Sequence, residues 1–379
     1  MKSKLPDVGE SIFSRMTGLA KRAGAVNLAQ GFPELRIDSK LTDLLQKRVS
    51  ENNDQYAPVI GTHELRAGIG KLLRDRLGVS IDPDTQVTVT PGAAQAIFTA
   101  ITAFIEPGDK VLLFAPFYES FVPAIRLQGG IPQIIQLEPP LFRIDWSLVE
   151  RSLTKDTKMI LINTPHNPTG ALFKKNDLIE LERIAVEHSL IILSDEVYFE
   201  IVFDGEKHVS PLQHSELASR TLSVYSFGKS LHVTGWKVGY CVGSKPLMEE
   251  FRKVHQTAVF SVHHSSQLAI ADYLASGSNP CIATLFQRKR DRFLDQITNS
   301  QFRFRRCKGS YFQLLDYSEI SDEDGTDFSI RLTRDHKVAT VPISPFCVDG
   351  EYNSKLVRVC FAKSDENLDL AARRLCSIT

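Results

Sequence analysis

No stretch of this chain stays apolar long enough to cross a bilayer, and no charge of one sign predominates. The longest apolar runs, such as residues 111–115 and 190–193, fall far short of the roughly 20 residues a membrane helix needs. Lys plus Arg and Asp plus Glu each total 45 among 379 residues, so the formal net charge is zero. A surface for nucleic acid or an anionic membrane needs a basic excess, so neither is expected as a partner. Cysteine is sparse: Cys241, Cys281, Cys307, Cys347, Cys360 and Cys376 form no C-x-x-C pair, which argues against a metal site. The first seven residues are basic but lead into no apolar segment, so they do not read as a secretory signal. Together with the scattered cysteines, this predicts reduced thiols and a cytoplasmic protein. Internal repeats and low-complexity linkers are also missing.

What is present is an alternation. A length of 379 residues exceeds one small core and suits two packed domains. Short β-branched runs at 87–90, 111–114, 159–162, 190–193, 222–225 and 238–242 alternate with helix-like stretches such as 93–105 and 176–188. Near-continuous apolar runs of that length suit strands buried on both faces of a mostly parallel sheet. The alternation predicts an α/β domain with helices on both sides. The flanks read differently: residues 1–36 form an arm, 37–267 the large domain, and 268–379 a smaller α+β domain that the arm joins. In the last part a long helical stretch reaches residue 299. Strand-like pieces follow at 302–305, 311–315, 338–342 and 356–361, then a final helix from Asp365.

Ligands of open α/β sheets bind beyond the carboxyl ends of the strands, and there the polar residues collect. Thr90-Pro91-Gly92-Ala93-Ala94-Gln95 closes one run and opens a helix. Its small residues and free N–H groups would suit a phosphate, although a tight turn without a ligand explains them equally. Asn163-Thr164-Pro165-His166-Asn167-Pro168-Thr169-Gly170 is an irregular loop that could present Asn163 and Asn167 in a fixed pose. Asp195, in Ser194-Asp195-Glu196-Val197-Tyr198, is either a helix cap or a buried carboxylate that requires a positive or protonated partner.

Lys229 lies in Ser226-Phe227-Gly228-Lys229-Ser230. Gly-Lys-Ser suggests a P-loop, but that motif needs glycine at position 223, where Ser223 stands. A desolvated lysine can lose its proton near neutral pH and act as nucleophile or base, whereas a surface lysine would only snorkel. Lys237, in Thr234-Gly235-Trp236-Lys237-Val238-Gly239-Tyr240, is open to the same two readings. Arg358 interrupts the apolar run Leu356-Val357-Arg358-Val359-Cys360-Phe361. Its planar fork either points to solvent or pairs with a carboxylate.

Asn-Pro-Thr-Gly, Asp-Glu-Val-Tyr, Ser-Phe-Gly-Lys and Thr-Gly-Trp-Lys-Val-Gly-Tyr, in this order and spacing, resemble the motif set of class I aminotransferases of fold type I. The resemblance runs over essentially the whole chain. Asn27-Leu28-Ala29-Gln30-Gly31-Phe32-Pro33 and residues 163–167 and 357–363 are similar to the kynurenine/glutamine transaminase branch, and within it to the bacterial methionine aminotransferases. The resemblance implies a large domain with a mostly parallel seven-stranded sheet between helices, a smaller α+β domain, and pyridoxal 5′-phosphate (PLP) as cofactor. It implies that Lys229 holds PLP as an internal aldimine and then moves a proton between substrate Cα and cofactor. Asp195 would pair with the pyridinium nitrogen and keep the ring an electron sink. Asn167 and Tyr198 would contact the phenolic oxygen, and Tyr118 would stack on the ring. The phosphate would fall to the backbone of Ala93 and Ala94, with Gln95 nearby, and to Ser226 and Lys237. Tyr56 would reach the cofactor phosphate of the partner subunit in a homodimer. Gly31, Asn167 and Arg358 would hold the substrate α-carboxylate. Two departures from the family pattern are Ala93-Ala94-Gln95 at the phosphate loop and His263-His264 further on.

Relatives that act on dicarboxylates carry a second arginine near the substrate side chain, whereas residues 256–267 contain no Arg or Lys. A neutral amino acid, sulfur-containing or aromatic, is therefore expected, with Phe260, Ile12 and Phe13 lining an apolar pocket. The implied reaction moves the amino group of an L-amino acid to a 2-oxo acid through pyridoxamine phosphate. A C–S β-lyase on the same fold is the nearest alternative, because both reactions start from the same carbanion. A non-catalytic PLP-binding sensor would carry an added DNA-binding domain, for which the stretch before Lys4-Leu5-Pro6 leaves no room. The presence of Lys229, Asp195 and Arg358 together also argues for chemistry.

Overall fold

The computed structural model describes residues 3–277, 281–347 and 355–378. Residues 1–2, 278–280, 348–354 and 379 of the expected arm and small domain lie outside that description. In chain order the strands are β1 (Val26–Asn27), β2 (Val87–Thr90), β3 (Lys110–Ala115), β4 (Ile131–Gln136), β5 (Thr157–Asn163) and β6 (Ile191–Asp195). They continue with β7 (Thr221–Ser226), β8 (Gly239–Gly243), β9 (Phe312–Asp316), β10 (Val338–Ala339), β11 (Val341–Pro342) and β12 (Leu356–Cys360).

The large sheet has seven strands in the order β2-β8-β7-β6-β5-β3-β4. Neighbours are parallel except that β8 runs antiparallel to both β2 and β7. This is the α/β architecture expected from the unbroken apolar runs, and the side-chain alternation shows why they are unbroken. Leu112, Phe114, Ile160 and Ile162 point to one face and pack with Leu178, Leu181 and Ile184 of the helix Lys175–Glu187. Val111, Leu113, Met159 and Leu161 point to the other, against Ile97 and Ile101 of the helix Ala93–Phe104 and Met248 and Phe251 of the helix Lys245–Ala258. Helices cover both faces, so neither register of a strand can be polar.

β4 escaped the sequence pattern. It pairs only with β3, at the sheet edge, and only Ile135 of its residues is buried. A half-exposed edge strand needs no continuous apolar run, and it tolerates Pro132 because one side of its ladder is open.

The C-terminal part differs from expectation in three places. The long helical stretch is two helices, His264–Ala275 and Ile282–Gln296; the first stops before Gly277, whose φ of +68° suits only a terminating turn. The first helix also crosses the expected boundary at 267/268. Its Ala269, Ile270 and Tyr273 pack with Leu65, Ile69 and Leu73 of the helix His63–Leu77, so it belongs with the large sheet. Residues 302–305 form no strand, only one bridge from Arg303 to Asp316. The 338–342 piece serves two sheets: β10 pairs parallel with β1, tying the N-terminal arm to this part of the chain, and β11 extends the antiparallel sheet β11-β12-β9. Among the described residues, no helix is long and apolar enough to cross a membrane.

Candidate active site

Register in the large sheet brings the motif-bearing ends together. Gly239 of β8 pairs with both Thr90 of β2 and Ser226 of β7, and Asn163 of β5 lies opposite Asp195 of β6. On this rim opens a cavity of about 170 Å³. Ala93, Ala94, Ser226 and Lys237 line one end of the residue set, with Tyr118, Asn167, Asp195, Tyr198 and Lys229 completing it. A larger cavity of about 920 Å³ lies between residues 137–144 and 303–308; it includes none of these side chains.

Lys229 sits in the single turn Phe227–Ser230 directly after β7. Its ammonium donates to the Gly31 carbonyl at 3.5 Å and lies 5.9 and 5.8 Å from the ring centroids of Tyr198 and Tyr311. Burial pushes its pKa down to about 8, against the pull of Cys360 and Asp195 and with help from Lys237 and Arg358. A lysine in this state supplies a neutral amine at mildly alkaline pH.

Asp195 is the complementary case. The residue is 6 % exposed, and its carboxylate accepts from the Val197 N–H at 3.3 Å. Burial pushes its pKa up to about 7; the Val197 N–H and Lys229 counter this only in part, and Glu196 adds to it. The folded chain therefore binds the Asp195 proton more tightly than the unfolded chain. In cofactor-free protein that contribution to stability is complete below about pH 4 and is lost as pH rises toward 7. His166, buried and lowered to about 4 by desolvation, acts in the opposite sense. The informative quantity is thus the difference from a neutral variant. Asp195→Asn in cofactor-free protein is expected to gain stability relative to the parent between pH 4 and 7, by up to about 4 kcal/mol. Denaturant melts across that range check it, and a pH-independent difference would contradict the assignment.

Gly92 precedes the helix Ala93–Phe104 with φ +77° and provides no side-chain cap for its first N–H groups. A Cβ at Gly92 would stand 3.3 Å from Lys237 Nζ, and one at Gly239 would stand 3.0 Å from the Ala93 nitrogen. Bare helix-start N–H groups, a lysine and two tightly packed glycines are groups of the kind that suit a phosphate. With a buried carboxylate that wants a cationic partner and a desolvated amine between them, the donor set fits PLP.

Arg358 lies on β12. It is 1 % exposed; Nη1 donates to Asn167 Oδ1 at 2.8 Å and Nη2 to the Ala29 carbonyl at 2.9 Å, while buried Nε has no partner. Asn163 connects Asn167, the partner of Arg358, to Asp195, since its Oδ1 accepts from the Asn167 N–H at 2.7 Å and its Nδ2 donates to the Asp195 carbonyl at 2.9 Å. Gly31 lies alongside: a Cβ there would be 4.0 Å from Arg358 Nη2.

Besides Gly31, Phe13 and Arg358, four expected residues do not line this cavity. Gln95 turns along its helix and donates to Thr99 Oγ1 at 3.3 Å. Tyr56 is 80 % and Phe260 49 % exposed, and their rings meet edge to face at 5.2 Å. Ile12 packs on the core beside β3 and β5, and it is its neighbour Phe13 that lies against Arg358, 4.8 Å from ring centroid to Cζ. Two residues were not expected. Tyr311 donates to the Gly31 carbonyl at 2.9 Å, and the Phe312 ring centroid is 3.9 Å from Arg358 Cζ.

The chain is similar to known proteins in sequence and in fold. The family described as Aminotransferase class I and II matches residues 23–375. The Escherichia coli methionine aminotransferase is 41% identical, over 99% of this chain and 97% of its own. A crystal structure reporting that methionine aminotransferase function superposes with a TM-score of 0.96, covering 99% and 98% of the two chains. The N-succinyldiaminopimelate aminotransferase structure from Mycobacterium tuberculosis, 34% identical, also has a TM-score of 0.96 and is covered completely. Kynurenine–oxoglutarate transaminase 3 of Rattus norvegicus is 29% identical over 97% of this chain and 88% of its own.

Proposed function

The chain belongs to the class I and II aminotransferases and is a PLP-dependent transaminase, and we propose that its amino donors are neutral L-amino acids, methionine or aromatic. We further infer a cytoplasmic homodimer in which each active site takes residues from both subunits. The observation that carries the substrate reading is Arg358, a buried cation with an unpartnered nitrogen among the described residues. Arg358 is buried with Nε free, while residues 256–267 offer no second Arg or Lys. A second substrate carboxylate would therefore be desolvated without a partner. The likeness to a methionine aminotransferase supports the same reading. The exposed Tyr56–Phe260 pair supports the dimer, because two large aromatic rings left in solvent suit a surface that another subunit covers.

PLP, when bound, takes up the electron pair released at substrate Cα. The chain's own groups make that pair available and steer it. Arg358 and Asn167 hold the α-carboxylate and so orient Cα. The Lys229 amine, with its pKa near 8, takes the Cα proton on Nζ and returns it one position along. Asp195 holds positive charge at the far side of the site through a carboxylate that has no cation of its own hydrogen-bonded to it. Tyr198 keeps its proton, since burial raises its pKa, and serves as a hydroxyl donor. Ala93, Ala94, Ser226 and Lys237 anchor the phosphate, and Tyr118 covers the ring.

A half-reaction panel tests the substrate class. Holoenzyme is mixed with single amino acids and the loss of its visible absorbance is followed. Methionine and phenylalanine are expected to react at least about 100-fold faster than aspartate or glutamate, the scale on which an unpaired buried charge is rejected. If aspartate, glutamate or N-succinyldiaminopimelate outruns both, the neutral-substrate reading fails.

A further inference from the structure

We propose that Phe312 and Phe13 are positioning residues for the substrate carboxylate, an aromatic clamp that holds the Arg358 guanidinium so that an anion meets it edge-on. This rests on the reading of Arg358 given above. Two bonds restrain the fork, to Asn167 and Ala29, and both run from its terminal nitrogens. Nε, buried and unpartnered, does nothing to stop the group from tilting. The rings supply that restraint. Phe312 lies at stacking distance, 3.9 Å from Cζ, and Phe13 approaches from another element at 4.8 Å. A guanidinium is weakly hydrated and rests on aromatic faces at little cost, while its N–H edges remain open to a planar acceptor.

Each ring is itself fixed. Phe312 is 1 % exposed, and it is the reason position 31 has no room for a side chain, since a Cβ there would be 2.8 Å from its ring. Phe13 lies against Phe346, with ring centroids 5.6 Å apart and planes tilted by 32°, and sits in the first turn of the helix Ile12–Ala23. The cap of that helix, Ser11, donates to Glu119 Oε1 at 2.6 Å, beside Tyr118. The clamp therefore joins the N-terminal helix to the carboxylate site.

The test measures binding rather than turnover. Holoenzyme is titrated calorimetrically with 3-phenylpropionate and with its neutral amide, 3-phenylpropanamide, and the ratio of affinities is the readout. Phe312→Leu is expected to lower the carboxylate-over-amide ratio about 5- to 30-fold, the range for a desolvated cation–π contact. Phe13→Leu should lower it less, and Phe13→Tyr, which keeps a ring, should restore it. An unchanged ratio in both leucine variants, with the cofactor absorbance intact, overturns the clamp. If Phe312→Leu does not load PLP, Phe13→Leu decides alone, and an unchanged ratio there overturns it as well. A parent protein with no preference for the carboxylate would instead sink the reading of Arg358, and a failed amino-acid panel would sink only the substrate class.

Discussion

Lys229→Ala is expected to lower the methionine half-reaction by at least about 10⁴-fold while leaving a folded protein that still takes up PLP without a covalent link. Two roles disappear with one amine. General acid–base catalysis by a positioned group accounts for about 10²- to 10⁴-fold, and the loss of the nucleophile that holds PLP adds to that. The other lysine lining the cavity, Lys237, is turned toward Gly92, with Nζ 3.3 Å from where a Gly92 Cβ would stand, and is not expected to substitute. The fold should tolerate the change. Among the described residues, Lys229 makes one hydrogen bond, the 3.5 Å contact to Gly31, and no ion pair. Its ammonium is desolvated, which is what brings the pKa to about 8, so removing it relieves a cost. Single-turnover rates check the loss, and borohydride followed by peptide mass should attach PLP to the Lys229 peptide of the parent only. The same pKa sets a direction for cofactor capture. Only the neutral amine attacks, so capture by cofactor-free protein should speed up as pH rises to about 8 and level off above it. A variant keeping more than about 1 % of the parent rate would remove Lys229 from the centre of the chemistry.

What the sequence made legible, and what it hid, follows from burial and pairing. Interior strands announced themselves because helices cover both faces, which forces apolar residues into both registers; β4 did not, because an edge strand with one buried residue carries no such demand. The rim residues were legible for a related reason. A lysine, an aspartate or an asparagine at the end of a buried strand is open to a plain reading as snorkel, cap or turn and to one that needs a partner, and the structure brings Lys229, Asp195 and Asn167 to one cavity. Gln95 shows the limit of that argument, since a residue on the first turn of a helix can reach along the helix as easily as toward the rim, and here it reaches Thr99. Tyr311 and Phe312 carried no signal at all. Aromatic residues in an apolar run read as core, and their nearness to Arg358 depends on the pairing of β9 with β12. That register sets Leu314 opposite Arg358 and Phe312 opposite Cys360, so Phe312 becomes the diagonal neighbour of Arg358 on one face of the sheet. Arrangements of that kind are created by strand pairing and are invisible along the chain.

Arg358→Leu is expected to lower kcat/KM for methionine by about 10³- to 10⁴-fold, equivalent to about 4–6 kcal/mol, with PLP uptake unaffected. The size comes from what is lost together. A carboxylate would be brought to a dry site without its cation, and Asn167 Oδ1 and the Ala29 carbonyl, which accept at 2.8 and 2.9 Å, would both be left without a donor. Asn167 also lines the cofactor cavity, so part of the loss should appear in kcat through a carboxamide free to turn. Cofactor loading should survive because the phosphate cradle at Gly92, Ala93 and Lys237 contains no group bonded to Arg358. Arg358→Lys separates charge from geometry: a single ammonium keeps the attraction but cannot bond Asn167, Ala29 and a carboxylate in one plane, so an intermediate loss of about 10²-fold is expected. The decisive control is 3-methylthiopropylamine, the donor without a carboxylate. Its slow half-reaction should be nearly indifferent to Arg358→Leu, collapsing the preference for methionine over the amine. If Arg358→Leu keeps kcat/KM for methionine within about tenfold of the parent, or slows the amine as much as the amino acid, the arginine holds the fold together and another group binds the substrate.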